Sequence, residues 1–196
     1  MKTKTGIIAR FFSIAAVLAV LLAAVLCSVP YERAGTITEK GVFHLIHRAA
    51  DGAVLWEGDV ENSLADGGES TFLDCTLRAT NCPTTYYLRL FNDTPVETDT
   101  LSDLTGEPSG NGYVAKELTR NSTGWPTLAL DSGDYQATSA TVTFEASGGS
   151  WGPVTYLVFA TSSDNTGVLM NYGALSTSRT LADGETLQMT YKLKLQ

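Results

Sequence analysis

The sequence predicts an all-β protein: an antiparallel, jelly-roll-like β-sandwich of about eight or nine strands with one short helix, preceded by an N-terminal hydrophobic helix. Three observations point there. Short runs rich in Val, Leu, Phe, Tyr and Thr recur about every 10–15 residues from Gly41 onward, clusters of Gly, Asp and Ser separate them, and a single stretch carries a helical period.

The N-terminal element comes first. Lys2, Lys4 and Arg10 precede Phe11 to Val29, a mostly apolar run, and no charged residue stands between Arg10 and Glu32. A basic flank before an apolar run is the pattern of a secretory signal peptide, yet at about 1.5 Å per residue this run nearly spans a bilayer core. A cleaved signal and a retained transmembrane anchor through residues 11–29 therefore both stand, with a start codon placed too early as the third reading. Val25-Leu26-Cys27 and Leu26-Cys27-Ser28 fit a cleavage site loosely, and Leu26 ahead of Cys27 argues against a lipoprotein. Under the first two readings the basic flank stays inside and the rest of the chain is exported. Residues 1–40 form the leader and 41–196 the β domain.

Charge divides the same way. Of 13 Lys+Arg and 21 Asp+Glu, the leader holds Lys2, Lys4, Arg10, Arg33 and Lys40 against Glu32 and Glu39. The body is left strongly acidic, which repels phosphate backbones and excludes general nucleic-acid binding.

Within the body, Val42–His47 and Ala53–Trp56 flank Asp51-Gly52, the pair that supplies positive φ in a tight hairpin. Leu64, Phe72, Leu73, Thr76 and Leu77 fit a short helix that starts near Gly68-Glu69 and ends before Asn81-Cys82-Pro83. Tyr86–Phe91 alternates as a strand, with Tyr86, Leu88 and Leu90 on one face and Tyr87, Arg89 and Phe91 on the other. Residues 92–112 are acidic and rich in turn formers, and read as a long surface excursion with at most a helical turn around Leu101–Leu104. Strands follow at Tyr113–Thr119, Pro126–Leu130, Ala140–Ala146, Val154–Thr161, Leu169–Leu175 and Thr186–Leu195.

Cys75 and Cys82 are close enough in sequence for a disulfide if the chain turns at Thr80-Asn81, and export favours one; in a reducing compartment they are small half-buried side chains. No CxxC exists, and no metal site or cofactor is expected.

Catalytic chemistry is hard to find. His44 and His47 are the two histidines, and three residues apart on a strand they point to opposite faces. No GxSxG elbow accompanies them. Most carboxylates sit in turns, such as Asp51-Gly52, Asp131-Ser132-Gly133-Asp134, Asp164-Asn165 and Asp183-Gly184, where Asp serves backbone hydrogen bonds. The Gly-rich stretches 106–112 and 147–153 lack the Lys-Ser/Thr ending of a phosphate loop. Trp125, Trp151 and Tyr113 are the candidate interaction residues: the two tryptophans sit near Pro and Gly, where a ring either caps an open end of the sandwich or stacks on a sugar or a partner.

The segments 89–113, 117–130, 143–161 and 179–187, above all Asn111-Gly112-Tyr113, Leu118-Thr119-Arg120 with Trp125, and Ser147–Pro153, resemble a family of small tailed-phage and prophage virion structural proteins. The resemblance covers residues 41–196, leaves the leader outside, and transfers no active-site residue. It implies a non-enzymatic structural protein in the virion, in capsid decoration, the tail or a surface appendage, with other structural subunits or copies of itself as partners. The alternative is an exported, membrane-anchored ligand- or carbohydrate-binding module at the cell surface or in the periplasm.

Overall fold

A computed structural model describes residues 38–196; the expected leader, apart from its last three residues, lies outside the described residues. Alternation sets the first strand, β1 (Glu39–Arg48), whose odd-numbered positions from Gly41 to His47 are buried while the even ones face outward. It turns into β2 (Val54–Glu61) through a loop in which Gly52 alone takes positive φ (88°) and Asp51 accepts the Ala53 N–H at 2.9 Å. The connection is thus longer than a two-residue hairpin.

After the two-residue β3 (Ser63–Leu64) comes α1 (Asp66–Leu73), continued by a π-helical turn over Asp74–Arg78. α1 lies against the later strand β10 (Leu169–Leu181) so closely that a Cβ at Gly68 would collide with the Met170 carbonyl. The remaining strands are β4 (Thr85–Phe91), β5 (Lys116–Thr119), β6 (Thr127–Asp131), β7 (Asp134–Thr138), β8 (Val142–Glu145), β9 (Trp151–Ala160) and β11 (Thr186–Leu195). Among the described residues the sequence missed β3 and β7. β7 was hidden because Asp134 had been absorbed into the preceding turn, although Tyr135-Gln136-Ala137 alternates after it.

The strands form two antiparallel sheets. One has six strands in the order β2-β1-β11-β7-β6, with β8 pairing the other half of the β11 edge; the second runs β3-β10-β9-β4-β5. Phe43, Leu45, Met189 and Tyr191 of the first sheet meet Leu88, Leu90, Leu157 and Phe159 of the second in one core. Phe159 and Tyr191 rings approach to 5.0 Å across it.

A second cluster covers the other face of the five-stranded sheet. Phe91, Val158 and Ala160 point away from the main core and are covered by Leu101 and Leu104. The stretch 92–112 is therefore a cover, not a solvated excursion. Its two leucines carry apolar area onto the sheet, and Asp93, accepting the Thr105 N–H at 2.6 Å, pins the returning chain.

Candidate contact surface

The six-stranded sheet does not stop where its partner sheet stops. On β11 the core-facing row runs Leu187, Met189, Tyr191 and then Leu193. Leu193 pairs with Ala137 on β7, which pairs with Leu128 on β6; Tyr135 pairs with Leu130. Paired residues share a face, so Leu128, Leu130, Tyr135 and Ala137 continue the core row. Beyond Ala137 no strand of the second sheet covers them: Leu128 is 72% exposed, Leu130 63% and Tyr135 61%. Every residue of β6 is exposed, and β6 forms the edge of its sheet.

Trp125 stands at the inner margin of this surface. With Phe72, Tyr86, Ala137, Phe159 and Leu193 it lines an apolar cavity of about 190 Å³. Its ring packs edge-on against Phe159 and Tyr191.

The other ring candidates lie deeper. Trp151 is 4% exposed, and its indole N–H donates to the Glu145 carbonyl at 3.1 Å. It packs at the core end of the sheets, the position of the capping alternative. Tyr113 stacks beside Phe144 and Trp151, and its hydroxyl accepts the Leu90 N–H at 3.0 Å and donates to Glu107 at 2.9 Å. Burial, with the Glu107 charge beside it, holds its phenol far above the usual value. The Cys75 and Cys82 sulfurs are in contact, with Cα atoms 4.7 Å apart.

Sequence reasoning did not single out Arg89. It lies on the covered face of β4, 1% exposed, with Nε donating to Glu107 at 2.9 Å, Nη1 to the Asp164 carbonyl at 2.7 Å and Nη2 to Asn165 at 2.8 Å. One guanidinium thus ties the 92–112 cover and the β9–β10 loop to the sheet. An arginine inside an otherwise apolar strand run was the available clue.

Among the described residues the titratable groups are dispersed. His44 faces outward, with Nδ1 2.7 Å from Asp59 and Nε2 3.5 Å from Glu57, while His47 points inward to Glu185 at 3.0 Å. Asp164 accepts from the Thr166 and Ser162 hydroxyls and the Thr166 N–H, which lower its carboxyl to about 2. Asp183 accepts from the Gly148 N–H at 2.8 Å. A polar depression of about 600 Å³ near Pro83 and Thr161 holds no acid, Lys or His. Among the described residues no group of three or more His, Cys, Asp or Glu is arranged to hold a metal, and no helix is long and apolar enough to cross a membrane.

The apolar side chains of the described residues are thus divided among a core, a cover and one open row. The family of the podophage GP4 fiber I protein gp80 matches residues 63–194, about two thirds of the chain. The chain belongs to this family. The gp80 match takes in everything from β3 to β11 and with it the β6–β7 surface, Trp125, and the Arg89 lock. Membership in the gp80 family bears out the resemblance to phage virion structural proteins. No curated protein matched the chain.

Proposed function

We propose that this protein is a non-enzymatic component of a phage tail appendage and works by protein–protein contact. The observation that carries the reading is the uncovered apolar row on β6 and β7, in a chain whose family is one of fiber proteins. Exposed leucines on an edge strand are costly to solubility unless something binds them. Pairing of the first strand with the last supports a jelly-roll-like wrapping of the two sheets. Immunogold electron microscopy of virions, with an antibody to this chain, tests the assignment. Label on the appendage supports it, label on the capsid shell moves the protein to decoration, and unlabelled virions overturn it.

A second reading, an exported carbohydrate-binding module held by residues 11–29, is favoured by that apolar run and by Trp125, which still lines a cavity open to solvent. Saccharide binding on a glycan array, lost in Trp125→Ala, would put this reading first. We also propose that Cys75 and Cys82 are bridged in the mature protein and that the leader expected over residues 1–40 ends ahead of β1, which begins at Glu39. Intact mass of the native protein, with and without reductant, tests both.

A further inference from the structure

We propose that two copies of this protein pair antiparallel through their β6 edges about a two-fold axis at Ala129. The inference rests on the contact reading above and names a partner for it.

The free edge comes first. β6 and β7 are joined by Ser132-Gly133, both at positive φ (55° and 99°), which is a two-residue hairpin turn closing on Asp131 and Asp134. In such a hairpin the closing pair exchanges main-chain hydrogen bonds, and so do Ala129 with Gln136 and Thr127 with Thr138. The N–H and C=O groups of Leu128 and Leu130 therefore point away from β7, along an edge that pairs with no other strand.

The sequence of the edge is self-complementary. A two-fold at Ala129 opposes Leu128 to Leu130 of the second copy and Thr127 to Asp131. Leu128 and Leu130 then exchange about four main-chain hydrogen bonds across the axis, and their side chains close a leucine cluster flanked by Tyr135 of each copy. Thr127 brings a hydroxyl donor to the Asp131 carboxylate. Pro126 stands just outside the strand, and Thr127–Asp131 contains neither Pro nor a lysine or arginine to blunt the edge.

Charge at the edge is partly balanced, which leaves room for a second copy. Two acidic bodies repel, yet the only ionised group on β6, Asp131, is engaged by Lys194 at 3.2 Å. The one acidic neighbour, Asp134, lies 3.9 Å from the same ammonium. The shared ammonium lessens the repulsion that a like-charged copy meets at this edge.

The test uses the full-length chain with its native cysteines, which serves as the blank for Ala129→Cys and Thr127→Cys. On the axis, Cα atoms of position 129 approach to about 4.5 Å, within disulfide reach. Position 127 lies about 13 Å from its own copy, beyond reach. Mild oxidation is expected to give covalent dimer from Ala129→Cys at least tenfold above the blank, with none added by Thr127→Cys. In sedimentation velocity, Leu128→Asp with Leu130→Asp is expected to raise the dimer dissociation constant at least tenfold. Equal cross-linking at 127 and 129, or self-association indifferent to the two aspartates, overturns the pairing. If those failures occur while virions still carry the label, the two-fold falls and the appendage reading stands. If the row binds only a different virion protein, the second copy is likewise ruled out as occupant.

Discussion

The two sheets carry similar strand chemistry and live in different surroundings. The five-stranded sheet is covered on both faces, by the main core on one side and by Leu101 and Leu104 on the other. The six-stranded sheet is covered on one face, and there only until Leu193. What separates them is the supply of cover: the 92–112 segment folds back onto one sheet, and nothing in residues 38–196 covers Leu128, Leu130 and Tyr135. Apolar alternation in a strand states which face seeks cover. It does not state whether that cover comes from the same chain.

The comparison breaks most severely at Arg89. Arg89→Ala removes the cation that Glu107 faces and unties two loops, so a loss of about 3–5 kcal/mol is expected from breaking a buried pair on one side. Chemical denaturation measures it. A loss under about 1 kcal/mol would mean that the cover holds through its leucines alone. Next in size is a pair of truncations. Leu101→Ala, at a site with no exposure, is expected to cost about 2–5 kcal/mol, whereas Leu128→Ala, 72% exposed, should fall within about 0.5 kcal/mol of the unaltered chain. Equal effects would show that β6 is not an open surface in solution.

Much of this contrast was legible beforehand, and the rest was not for definable reasons. Nine strands and the helix show in the sequence because apolar period and turn residues are local properties. Tyr86, Leu88 and Leu90 fall on one face as alternation requires. The role of 92–112 did not show, because two leucines among acids and prolines look like a loop until Phe91 and Val158 are seen to need them. Yet the unbroken apolar run Leu157–Ala160 already marked a strand buried on both faces. Trp125, Trp151 and Tyr113 stand out in the sequence as large rings near turns, but burial depends on which strands oppose them, and that is long-range. The open row escaped notice for the mirrored reason: Leu128 and Leu130 read as ordinary core positions. Nothing in their own spacing says that the second sheet ends before reaching them.

A subtler difference concerns Glu39, at the start of β1. Burial raises its carboxyl above the ordinary 4.5, and hydrogen bonds from Asn62 and Asn171 only partly offset this. The folded state therefore favours the protonated form. That contribution is fully present below the ordinary value and is lost as pH rises through the raised one, so the charged Glu39 weakens the fold at neutral pH. Glu39→Gln should stabilise the protein at pH 7, because the neutral amide carries no charge to desolvate. The gain should vanish below pH 4.5. Asp93, on the cover of the other sheet, runs the opposite way: the Thr105 and Thr94 N–H groups lower its carboxyl, so its contribution is present above the usual value and is lost as pH falls. Denaturation midpoints across pH for Glu39→Gln and Asp93→Asn should diverge in opposite directions. Parallel shifts would place both groups in equivalent surroundings.

The smallest effect tests how little electrostatics holds the open edge. Lys194 is mostly buried along its stem and reaches Asp131, which is 55% exposed, at the margin of β6. An ion pair of this kind is worth about 0–1 kcal/mol because water screens the acid and the long side chain must be held still. Lys194→Ala should therefore leave the fold nearly unchanged, far below the cost of Arg89→Ala, although both residues pair with a carboxylate on a neighbouring segment. What it changes is the charge of the edge, which becomes more negative because Asp131 and Asp134 lose their shared cation. Association through β6 should then weaken at low salt and recover as added salt shortens the screening length to about 3 Å near 1 M. Weakening that salt fails to reverse would assign Lys194 a packing role on the sheet in place of a charge-balancing one.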